Sequence, residues 1–96
     1  MGMEVSLPGN HWTWPQIQKA MRSFDPPAVL KMADGLLVFP EEEPQPDWKE
    51  LRLGFPSGMI TLRRESGALK LVTWGQISPE LEGARSRLRQ LLIQPA

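Results

Sequence analysis

The chain has 96 residues, 41% of them hydrophobic, with no cysteine and a formal charge of zero. That length carries one core, so residues 1–96 are expected to form a single domain, and the missing thiols exclude disulfides and remove the commonest ligands of structural zinc. No apolar run nears the roughly 18 residues that cross a bilayer, and the start lacks the basic and apolar blocks of a signal peptide, so a soluble, cytoplasmic protein is expected.

In chain order, Glu4 to Leu7 offers room for a short strand. Thr13 and Gln16 then stand in the relation of a capping box, with Trp12 and Ile17 at the two positions of a hydrophobic staple. Pro15 suits the first turn of a helix and pushes the residue before it out of the α region, so the boundary falls at Thr13 or Trp14. Ile17, Ala20, Met21 and Phe24 recur at spacings of three and four until Asp25-Pro26-Pro27 ends the helix.

Asp34-Gly35 predicts a tight hairpin between Val29–Met32 and Leu36–Phe39, with Ala33 opposite Leu36 and with Leu30, Met32, Leu37 and Phe39 on one face. The run Pro40-Glu41-Glu42-Glu43-Pro44-Gln45-Pro46-Asp47 buries nothing and reads as an exposed extended connection. Three further strands follow, Trp48–Phe55, Met59–Arg64 and Ala68–Trp74, punctuated by Phe55-Pro56-Ser57-Gly58 and Arg64-Glu65-Ser66-Gly67. Pairing Phe55 with Gly58 sets Leu51 opposite Leu62 and Leu53 opposite Ile60. Pairing Arg64 with Gly67 sets Leu62 opposite Leu69 and Ile60 opposite Leu71, which gathers six apolar residues on one face. Ser78 as N-cap, Pro79 behind it and Glu80 and Glu82 in the first turn open a last helix with the stripe Leu81, Ala84, Leu88, Leu91 and Leu92.

These elements predict an α+β fold: an antiparallel sheet of about five strands, made of a hairpin and a three-stranded meander, with an N-terminal and a C-terminal amphipathic helix packed on its leucine face.

Candidate sites are few. His11 is the single histidine and has neither a second histidine nor a cysteine to make a metal site, and no nucleophile, base and orienting group assemble from the motifs. Ser57 and Ser66 are accounted for by turn chemistry. No catalytic residue, metal or cofactor is therefore assigned, and the chain is not expected to be an enzyme. Arg85, Arg87 and Arg89 spread around the last helix, where Arg85 can pair with Glu82.

The sheet face opposite the leucines carries Trp48, Arg52, Arg63, Lys70 and Trp74, which are the candidate binding residues. Trp and Arg are enriched at interface hot spots, so the expected function is a small non-catalytic interaction module that binds a protein partner, or itself, through this face or an edge strand. The alternative is single-stranded nucleic acid stacked on the same face; a second alternative is a small-molecule pocket between helix and sheet. Against nucleic acid stands the charge: residues 1–48 contain seven acids and three bases, residues 49–96 four acids and eight bases, so the halves carry −4 and +4 and complement each other. Within the face, Glu50 opposite Arg63 and Thr61 between Arg52 and Lys70 describe a solvated, ion-paired surface.

Overall fold

The computed structural model describes residues 3–9, 12–39, 42–65, 67–73 and 78–93. Its elements are β1 (Met3–Pro8), α1 (Trp14–Arg22), β2 (Val29–Ala33), β3 (Leu36–Leu37), β4 (Glu50–Phe55), β5 (Gly58–Glu65), β6 (Ala68–Thr73) and α2 (Pro79–Ile93). All pairings are antiparallel in one six-stranded sheet of order β1-β6-β5-β4-β2-β3. The fold is α+β, as expected, with six strands instead of five. The sixth is β1, formed over the Glu4 to Leu7 stretch where a short strand has room, and it pairs with β6 through Leu7 and Leu69 and through Val5 and Leu71.

Both helices begin where the sequence places them, but α1 ends at Arg22, with Ser23 as its C-cap, two residues short of the expected Phe24. Thr13 is the N-cap of α1 in extended conformation, although its side chain makes no capping bond; Trp12 and Ile17 both lie in the core. For α2 the Ser78 hydroxyl accepts the Leu81 N–H at 3.1 Å, and Leu81, Leu88 and Leu92 are buried. Gly58 lies under the Leu81 side chain, where a Cβ would come within 3.1 Å, so α2 enters directly over the β4–β5 turn.

The β4–β5 register is as deduced, with Leu51 opposite Leu62 and Leu53 opposite Ile60. The β5–β6 register differs by two residues: Glu65 pairs with Ala68 and Leu62 with Leu71 rather than Leu69. Gly67, at φ +74°, sits inside the two-residue loop instead of opening the next strand. A two-residue shift preserves the alternation, so Ile60, Leu62, Leu69 and Leu71 still share the core face and all are fully buried.

The first hairpin forms on Asp34 (φ 50°) and Gly35 (φ 82°), two positive-φ residues of the kind a tight primed turn demands, and pairs Ala33 with Leu36. Its face assignment is corrected by a β-bulge. Leu30 pairs with Leu53 but Met32 pairs with Arg52, one residue out of step, so only Leu30 enters the core while Met32 and its neighbour Leu37 align with the opposite face. Lys31, at the irregularity, lies across Gly54.

The core thus lies between the leucine face and the helices, and it includes Leu7, Ile17, Met21, Leu30, Trp48, Leu51, Leu53, Leu62, Leu71, Leu81 and Leu88. Buried apolar area of this kind is the main favourable contribution to folding. Among the described residues no helix is long and apolar enough to cross a membrane.

Candidate interaction surfaces

The opposite face of the sheet is a lattice of charges. Glu50 pairs with Arg63 at 3.3 Å and with Arg52 at 3.7 Å; Lys70 pairs with Glu65 at 2.9 Å and with Glu4 at 3.3 Å. Hydrogen bonds to Glu65 and then Glu4 raise the Lys70 pKa above its ordinary value. Three acids and three bases therefore neutralise one another across four strands. Thr61 sits between Arg52 and Val72, the position expected for Lys70 having moved with the β5–β6 register, and both Thr61 and Val72 are buried.

Of the five candidate binding residues, the structure brings Arg52, Arg63 and Lys70 together on this face. Trp48 is elsewhere. It precedes the first residue of β4, so strand alternation does not govern its side chain, which turns into the core and is 1% exposed. Trp74 lies outside the described residues, as does His11.

What holds Trp48 is Arg64, at the expected junction of a strand and its turn, a residue not among the candidate binding residues. Its guanidinium carbon stands 3.9 Å from the centre of the Trp48 ring. Its nitrogens donate to the Trp48 carbonyl at 2.7 Å, the Pro46 carbonyl at 2.8 Å and the Trp12 carbonyl at 3.0 Å. One side chain thus fastens two connections to the end of β5. The signal was in the alternation: Ile60 and Leu62 facing the core place Arg64 on that same face.

A second unanticipated fastening is Asp34, whose carboxylate accepts the N–H groups of Lys49 (2.8 Å) and Glu50 (2.9 Å) and whose own N–H donates to the Glu50 carbonyl. The turn is pinned to the start of β4. Beyond that pin, β3 is the last strand of the sheet and only two residues long. Leu36 is 73% exposed, Leu37 77% and Phe39 71%.

The backbone of this edge is open as well. Val38 N–H donates to the Lys31 carbonyl, which makes Leu37–Met32 the intervening pair whose N–H and C=O groups point away from each other. Leu37 therefore presents its backbone donor and acceptor outward. The next outward donor, Phe39 N–H, is taken by the Glu42 carboxylate at 3.2 Å.

Grooves flank the sheet, and two of them adjoin the helices. One, of about 530 Å³, runs between α2 and the Phe24–Pro26 corner, where Phe24 and Phe55 meet edge to face and Arg87 stands over the Phe24 ring; Asp25 and Glu80 add opposite charge. The other, of about 430 Å³, lies between α1 and the end of the β2–β3 hairpin. Arg85 makes no ion pair with Glu82; its Nε is buried without a partner. Among the described residues no group of three or more His, Cys, Asp or Glu side chains could hold a metal ion.

In comparisons with known proteins, no family model, no curated protein and no solved structure matches this chain.

Proposed function

We propose that this chain is a small non-catalytic interaction module whose contact surface is the open β3 edge of the sheet. The observation that carries the proposal is the exposure of Leu36 and Leu37 on β3 and of Phe39 just beyond it, three large apolar side chains in four residues, beside the outward backbone groups of Leu37. An extended segment of a protein partner would extend the sheet by one strand, with main-chain hydrogen bonds giving affinity and alternate side chains giving specificity.

The charged face supports a lesser role. Its cations are already matched by Glu4, Glu50 and Glu65, which leaves no excess positive charge for phosphates, and Trp48 is packed away from it. Pull-down from lysate with the wild-type chain and with a Leu36→Lys, Leu37→Lys variant tests the proposal. The variant should lose the captured protein while its urea midpoint stays unchanged, because charges on an edge strand block further pairing. Equal capture by both chains, or loss only on changing Arg52, Arg63 and Lys70, overturns it.

A further inference from the structure

The groove beside the edge names the chemistry of the partner strand. Val38 and Phe39 lead from β3 directly into it, opposite Trp14 of α1, and Met21 and Leu30 lie at its base among the core residues. Its charged lining residues are Glu42, Glu43 and one cation, Arg22. No described residue forms an ion pair with either glutamate; Glu42 accepts only the Phe39 N–H.

Aromatic faces beside unpaired carboxylates are the chemistry that receives a cation with an aliphatic stem. We infer that this groove takes the side chain of an arginine or lysine carried by the strand that adds to β3. The inference rests on the edge proposal and identifies its partner as a basic, apolar, extended segment of another protein. The cation lies against the exposed Phe39 ring and is paired by Glu43.

A second copy of this chain does not supply that chemistry. From Asp34 to Glu43 the sequence contains Asp34, Glu41, Glu42 and Glu43 and no lysine or arginine, so two β3 edges brought together would oppose acid to acid.

The test is selection of phage-displayed random dodecapeptides on the full-length chain, followed by fluorescence anisotropy with synthetic copies of the selected peptides. Enriched sequences should combine β-branched or aromatic residues with a recurrent arginine or lysine. Replacing that residue by glutamine, or Glu43 by glutamine in the protein, should weaken binding about two- to fivefold, as for an exposed ion pair, and the two changes together should add little to either alone. Glu43→Gln touches no contact of the fold, so stability is expected to be unaltered. Peptides lost on Leu37→Lys but showing no preference for basic residues overturn the groove assignment and leave the edge standing. Enrichment that survives Leu37→Lys overturns both, and a dimer by light scattering that disappears in Leu37→Lys replaces the foreign partner by a second copy.

Discussion

Leu62 and Leu37 are both leucines on antiparallel strands of one sheet, yet the first is 0% and the second 77% exposed. Leu62 lies on β5, paired on both sides by β4 and β6, on a face covered by the helices. Leu37 lies on a two-residue edge strand, and the bulge at Lys31 has turned its side chain to the uncovered face. Hydrophobicity alone does not bury a residue; its register relative to the covered face does. The β4–β6 ladder is where this chain is stable, and the β2–β3 hairpin is where apolar surface remains to be covered.

The comparison can be broken at several strengths. Leu62→Ala should cost about 2 to 5 kcal/mol in urea denaturation, because a fully buried leucine is lost and its cavity persists. Arg64→Lys should cost about 2 to 3 kcal/mol by the same measurement, since one ammonium cannot reach three carbonyls and stack on Trp48 at once. A loss near zero would mean the two connections are held by something else.

Glycines in the two settings should respond with opposite sign. Gly67→Ala forces a Cβ into φ +74° and should destabilise by about 1 kcal/mol, whereas Gly83→Ala in α2, where a Cβ meets nothing within 4 Å, should stabilise by up to about 1 kcal/mol. At the weakest end, Leu37→Lys should shift stability by no more than about 0.5 kcal/mol, tenfold less than the largest loss expected at Leu62.

Much of this architecture is legible in the sequence because local chemistry dictates it. Ser78-Pro79 starts α2, Asp34-Gly35 forces its turn, and Pro56-Ser57 closes the first meander hairpin, each through backbone preferences of a few residues. What escaped depends on pairing at a distance. Nothing in Val29 to Ala33 announces a bulge, which arises from fitting β2 against β4 while Asp34 is anchored at Lys49 and Glu50. The Ser66-Gly67 loop is compatible with two registers of equal parity, and although Glu4 to Leu7 offers a strand, its partner β6 lies some sixty residues downstream and nothing local names it. For the site, Arg52, Arg63 and Lys70 were legible from alternation, while Trp48 was misplaced because it stands just outside the strand where alternation holds. An edge strand was expected as a contact surface, but the bulge hid which of its side chains, Leu37 and Phe39 among them, stay exposed.

The most direct test of the central claim is the amide hydrogen-exchange rate of Leu37 in the isolated chain, read by NMR beside Val38 and Leu62. An open edge predicts that Leu37 exchanges at nearly the rate of an unstructured peptide, that Val38 is slowed by its bond to Lys31, and that Leu62 is slowest of the three. A Leu37 amide as protected as Leu62 would show that the edge is already paired and would contradict the account.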